Sequence, residues 1–167
     1  PTSERVQTLI LGGGQAGLAV GYHLARRDLP FLILDANKRI GDSWRRRWDS
    51  LRLFTPARYN ALPGLAFPGS ARVFSSKDEV ADYLAAYAAR FELPLRTGIR
   101  VDRLSRHGTG FMVEAGNRRF EADNVIVAMG SDQAPRIPAF ADQLGPAIVQ
   151  LHAGEYRNPA QLQEGCV

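Results

Sequence analysis

Three glycines, Gly12, Gly14 and Gly17, and one carboxylate, Asp35, are the residues whose types and spacing carry chemistry in this chain. The glycines form G-x-G-x-x-G, and the acid stands eighteen residues after the last of them. In such a turn the first glycine lets the chain reverse tightly and the second leaves no Cβ to hold a pyrophosphate off the backbone. The third lets a helix lie close on a strand. The following helix aims its free N–H groups and positive dipole end at the phosphates, so Gln15 and Ala16 join the glycines as binding candidates. Asp35, with Ala36 beside it, would accept hydrogen bonds from ribose hydroxyls. A carboxylate there repels a 2′-phosphate, so this site should not prefer NADP.

Those residues need particular elements to position them. Arg5–Leu11 is an apolar run that predicts a strand, 18–27 predicts a helix, and Phe31–Leu34 predicts a second strand ending on Asp35. Strand, glycine turn, helix, strand and acid together are the dinucleotide-binding fingerprint. A third strand is then due within about thirty residues. Instead, residues 36–75 carry prolines, glycines and the aromatics Trp44, Trp48, Phe54, Tyr59, Phe67 and Phe74. So long an irregular stretch in a compact domain is usually functional. Within it Ile40–Trp44 predicts a turn into a short helix, capped by Ser43 or Asp42.

Ser76-Lys77-Asp78-Glu79 has the S-x-x-E form of a capping box. It opens a helix whose apolar stripe is Val80, Tyr83, Leu84, Tyr87, Ala88 and Phe91, read as core, with its exit at Pro94. Strand signals follow at 95–97, 99–104, 111–114 and 118–120, a β-meander with turns at 107–110 and 116–117. Asn124–Ala128 predicts a parallel strand buried on both faces, ending in Met129-Gly130, and 148–151 predicts a last short strand. A meander crossover is the layout of FAD-binding domains, whereas an NAD domain would use helical crossovers. Ala128, Met129 and Gly130 would approach the same phosphates and ribose from the other side.

Composition bounds the remaining choices. The 167 residues are 45% hydrophobic and 23% charged, enough for one cored domain or a domain plus a fragment. No apolar run reaches bilayer-spanning length and no signal segment opens the chain, which predicts a soluble, cytoplasmic protein without a membrane span. The single cysteine, Cys166, excludes an internal disulfide, a redox pair and a thiolate cluster, and reads as a strand residue rather than a reactive thiol. His23 and His107 have no partner at ligand spacing, so no metal is expected. A net charge of +4 admits nucleic acid, but the arginines are spread along the chain. The short Arg45-Arg46-Arg47 run has no nucleic-acid motif beside it, so no nucleic-acid partner is expected.

The chain resembles the flavin-containing monooxygenases, in particular their bacterial flavoprotein and plant YUCCA-like branch. The resemblance rests on G-G-G-Q-A-G-L from Gly12, on I-G-D-S-W-R-R-R-W-D-S-L-R-L-F-T-P from Ile40 to Pro56, and on V-I-V-A-M-G from Val125 to Gly130. In the last, Met129 stands where Thr is usual. The family's linker signature F-x-G-x-x-x-H-x-x-x-Y survives only as His152 and Tyr156, with Pro146 and Ile148 replacing its Phe and Gly. The resemblance implies an α/β, Rossmann-like FAD-binding domain with a parallel sheet and β-meander crossover, of the type with two dinucleotide-binding domains. It divides the chain into an FAD-binding domain at 1–145 and, at 146–167, a linker and the start of a truncated NADPH-binding domain.

By the same resemblance, Ser43 and Trp44 join the cofactor-binding residues. Trp44 would pack beside the flavin or its ribityl chain, or act as a core aromatic. Leu53 and Thr55 would line the isoalloxazine, and Val101 would offer backbone hydrogen bonds to adenine. The implied chemistry is reduction of FAD by NADPH, bound through a second domain beyond this chain. Oxygen then adds at the flavin C4a position, and the hydroperoxide oxygenates a small-molecule substrate. The cofactor carries that chemistry, so no catalytic side chain is assigned. An NAD(P)H:acceptor flavin reductase and a non-catalytic FAD-binding module remain the alternatives, and a homodimer is compatible with either.

Overall fold

The computed structural model describes residues 2–131 and 134–165. Strand β1 (Thr2–Leu11) runs up the middle of a six-stranded sheet, and its residues Leu9, Ile10 and Leu11 are at most 1% exposed. Helix α1 (Gln15–Ala25) returns across it to β2 (Phe31–Leu34), parallel to β1 with Leu11 opposite Leu34. Then come a one-turn helix α2 (Asp42–Arg45), an antiparallel pair β3 (Arg52–Pro56) and β4 (Phe74–Ser76), and helix α3 (Lys77–Arg90). Strands β5 (Leu95–Arg96), β6 (Arg103–His107), β7 (Gly110–Ala115) and β8 (Arg118–Val127) complete the sheet in the order β5-β2-β1-β8-β7-β6. Neighbours from β5 to β8 are parallel, and β8, β7 and β6 form an antiparallel meander. This is the α/β, Rossmann-like architecture with a meander crossover.

Strand alternation explains why β1 and β2 are apolar without interruption. Ile10 and Ile33 face the helices, joining Leu18, Tyr22 and the α3 stripe Val80, Tyr83, Leu84, Tyr87 and Ala88. Leu9, Leu11, Leu32 and Leu34 face the meander, joining Val113, Ala115, Phe120 and Ala122. Helix α3 starts from a complete capping box. Ser76 Oγ accepts from the Glu79 N–H (3.3 Å), and Glu79 Oε2 accepts from the Ser76 N–H (2.7 Å). The helix stops at Arg90, and Glu92 takes a left-handed turn (φ +48°) before Pro94 is reached.

Four local expectations are corrected. The strands expected at 118–120 and 124–128 are one continuous strand, β8. Its first half has β7 on one side and β1 on the other, but its second half pairs only with β1, so Asn124 and Val127 are exposed rather than buried. Residues 99–102 are outside the strands, because the N–H groups of Gly98 and Ile99 donate to the carbonyls of Asn37 and Asp35. Val101 therefore sits between β5 and β6, half-buried on the meander-side core. No strand forms at 148–151, where Ile148 and Val149 are exposed. Cys166 lies outside the described residues. Among the described residues no helix is long and apolar enough to cross a membrane, and no cluster of three His, Cys, Asp or Glu side chains could hold a metal.

Candidate cofactor-binding site

The glycines of the β1–α1 turn differ in what surrounds them. Gly12 takes φ +111°, and a Cβ there would lie 2.4 Å from the carbonyl oxygen of Ala128. Its N–H donates to the Leu34 carbonyl (2.7 Å), so the turn is wedged between the ends of β2 and β8. At Gly17 a Cβ would lie 1.9 Å from the Gly12 oxygen, which fixes how closely α1 lies on β1. Gly14 is the opposite case, with no atom within 4 Å of a Cβ built on it. It is also the N-cap of α1, without a side-chain cap and without an acid in the first turn, while Gln15 and Ala16 are exposed. The first N–H groups of a helix have no intrahelical partner. A Cβ at Gly14 would stand in open space at that helix end.

Asp35 is 8% exposed at the end of β2. Its Oδ2 accepts from the Gly13 N–H (2.7 Å) and its Oδ1 from the Asn37 N–H (2.8 Å). A carboxylate has about four acceptor positions, so two remain beyond these bonds. The sequence pattern leaves Gly13 out, yet its N–H ties the acid to the turn, and the run of three glycines was the only signal for it. Ala36 is exposed next to the acid. On the other side Ala128 donates its N–H to the Leu11 carbonyl (2.8 Å) and is half-buried, while Met129 and Gly130 (φ +74°) are exposed.

The loop after Asp35 comes back to the turn. Ile40 is buried, and a Cβ on Gly13 would lie 2.6 Å from its Cδ1. Helix α2 follows, capped by Gly41 in a left-handed conformation (φ +88°) rather than by Ser43 or Asp42. The Asp42 carboxylate is engaged elsewhere, accepting from the Arg39 N–H (3.2 Å) and pairing with Arg39 and Arg45. Burial raises its pKa, but the hydrogen bonds from Arg39 and Arg45 outweigh this and hold it below the usual carboxylate value. Ser43 is exposed, and Trp44 is half-buried against the helix-side core.

The other candidates are more dispersed. Leu53 is half-buried on the same core, and the Thr55 hydroxyl donates to Asn60 Oδ1 (2.6 Å) on the surface of the β3–β4 pair. His152 accepts the Gly154 N–H on Nδ1 (3.0 Å) and closes a local turn. Thus the structure gathers Gly12, Gly14, Gln15, Ala16, Gly17, Asp35, Ala36 and 128–130 around the ends of β1, β2 and β8. Ser43 and Trp44 stand on α2 beyond Ile40, Thr55 bonds to Asn60 just past β3, and Val101 packs on the meander-side core.

The family model described as pyridine nucleotide-disulphide oxidoreductase matches residues 9–166. An uncharacterized CzcO-like oxidoreductase of Geobacillus kaustophilus is 45% identical over 97% of this chain and 47% of its own length. The indole-3-pyruvate monooxygenase YUCCA1 of Oryza sativa subsp. japonica is 31% identical over 97% of this chain and 42% of its own. Among solved structures, a flavin-containing monooxygenase from Stenotrophomonas maltophilia superposes with a TM-score of 0.87 at 37% identity, over 94% of this chain and 48% of that one. The chain spans about half the length of the curated relatives it matches.

Proposed function

We propose that this chain, which belongs to the pyridine nucleotide-disulphide oxidoreductase family, is the FAD-binding part of a flavoprotein monooxygenase. The observation that carries the reading is the cradle at Gly14, the one fingerprint glycine that faces open space while Gly12 and Gly17 are wedged against backbone. In this reading the N–H groups of the Gly14–Gly17 turn hold the diphosphate, and Asp35 with Ala36 holds the ribose. Ala128, Met129 and Gly130 close the crevice, and Val101 lies by the adenine. Ser43, Trp44, Leu53 and Thr55 serve the flavin half. Residues 1–145 form the FAD-binding domain, and 146–167 lead towards a domain that binds NADPH.

When bound, FAD supplies electron transfer and oxygen chemistry that no protein side chain provides. The chain's own part is to grip, orient and shield it. The relatives' names support oxygenation of a small molecule, and the family description also covers reductases. The test is titration of the purified full-length protein with FAD, followed by NADPH and oxygen consumption. A yellow protein that couples the two and forms an oxygenated product is expected. Dye reduction without oxygenated product would instead favour the acceptor-reductase reading, and protein that never retains FAD would sink both.

A further inference from the structure

A four-residue helix cannot hold its own shape, because nucleation costs more than one turn returns. Helix α2 is therefore positioned by its surroundings, and those belong to α3. A Cβ on Gly41 would lie 2.5 Å from the Ala81 carbonyl oxygen, so the backbones of α2 and α3 touch there. Arg45 donates to the Ile40 carbonyl (2.9 Å) and to Asp42 Oδ1 (3.1 Å), and its second nitrogen reaches Asp82 Oδ1 on α3 (2.7 Å). Lys77 closes the other end. Its Nζ donates to the carbonyl of Arg45 (3.3 Å) and to the Asp78 carboxylate (2.9 and 3.1 Å), and its main-chain N–H donates to the Leu51 carbonyl (3.2 Å).

Lys77 is a costly residue for its place. It is the first residue of α3, where the helix dipole disfavours a cation, and it is 8% exposed. The ion pair with Asp78 (2.9 Å) offsets the buried charge, and the same ammonium reaches on to the carbonyl of Arg45, the last residue of α2. The opposite end of α2 leads through Gly41 to Ile40, which lies on Gly13 of the glycine turn. Helix α2 thus bridges the turn and α3, with Ser43 and Trp44 on it.

We propose that Lys77, together with the Arg45–Asp82 pair, is a positioning device that fixes Ser43 and Trp44 for the flavin half of the cofactor, while the glycine turn and Asp35 hold the adenosine diphosphate half independently. The proposal rests on the FAD reading above. It is tested by calorimetric titration of the purified protein with FAD and, separately, with ADP. Lys77→Met should weaken FAD by about tenfold through lost preorganisation and leave ADP within about twofold, with Lys77→Arg recovering most of the loss. Asp82→Asn, at an exposed side chain that does not threaten folding, should give the same split at about threefold. A role in stability alone would lower the melting temperature and change both ligands together or neither, and either result overturns the proposal. Unsubstituted protein that binds ADP but not FAD would remove the flavin reading itself, and this inference with it.

Discussion

The glycine turn and helix α2 meet where Ile40 lies on Gly13, and they are held by opposite means. The turn is shaped by what is missing. At Gly12 and Gly17 an added Cβ would lie 2.4 and 1.9 Å from carbonyl oxygens, so backbone alone defines the geometry. Helix α2 shares that device at Gly41, but its other end is shaped by what is present, the Arg45, Asp82 and Lys77 side chains reaching across to or from α3. A backbone-built wall should break when atoms are added, and a side-chain-built wall when atoms are removed. The first should also fail abruptly and the second by degrees.

The largest effect is therefore expected from Gly17→Val. Its side chain must start 1.9 Å from the Gly12 oxygen, with Ile10 Cγ2 at 3.3 Å, so α1 has to leave β1. A cost of about 3 kcal/mol or more follows from overpacking. Thermal melts would read this directly, and a melting temperature near that of the unsubstituted protein would mean the close helix–strand approach is not needed. Gly14→Val sharpens the contrast, since its side chain meets open space and φ is an ordinary −84°. Here the fold should survive while FAD affinity falls by about 100-fold, because the diphosphate is held off the N–H groups. Normal flavin content in that variant would refute the cradle.

The contrast also explains how much was legible beforehand. The glycine turn, Asp35, β1, β2 and the capping box at Ser76 all rest on local rules: a spacing, a strand alternation, a four-residue motif. They appear where the sequence predicts them. The ties of α2 join residues 32 and 37 positions apart through single charged contacts, and no periodicity announces them. The same is true of residues 99–102. They alternate like a strand, but the neighbouring Gly98 and Ile99 spend their N–H groups on the carbonyls of Asn37 and Asp35. The tyrosines of α3 were legible as core, but not as hydrogen-bonding groups. Tyr83 accepts from the Leu62 N–H and donates to the Leu65 carbonyl (2.7 Å each), and Tyr87 donates to the Pro63 carbonyl (2.6 Å). Burial raises both phenols, Tyr87 to about 12.

Those hydroxyls give a prediction of intermediate size for the side-chain-held region. Tyr87→Phe keeps the ring in the core but leaves the Pro63 carbonyl without its donor, which should cost about 1–2 kcal/mol. Denaturant unfolding measures it. A neutral substitution would mean that the loop at 62–65 is held by packing alone, and α3 would lose one of its claims as the platform for the irregular stretch.

The smallest effect is one of pH, and it separates the two walls again. Glu79 accepts hydrogen bonds from the N–H and the hydroxyl of Ser76, and these hold its carboxyl below the ordinary glutamate value. A carboxyl depressed in the folded state adds stability above its unfolded pKa, and that stability is lost as pH falls through the folded value. Glu79 is exposed, so solvent screening limits the gain to a few tenths of a kcal/mol, at most about 1. The stability difference between the unsubstituted protein and Glu79→Gln should be flat from pH 8 to 6 and shrink below about pH 4.5 as the carboxyl protonates. Because Glu79 caps the helix that carries Lys77, acid should loosen the α2 wall through this group while leaving the steric wall at Gly12 and Gly17 as it was. A difference that stayed constant down to pH 3 would place the helix start under some other control, and α2 would then rest on its own ion pairs.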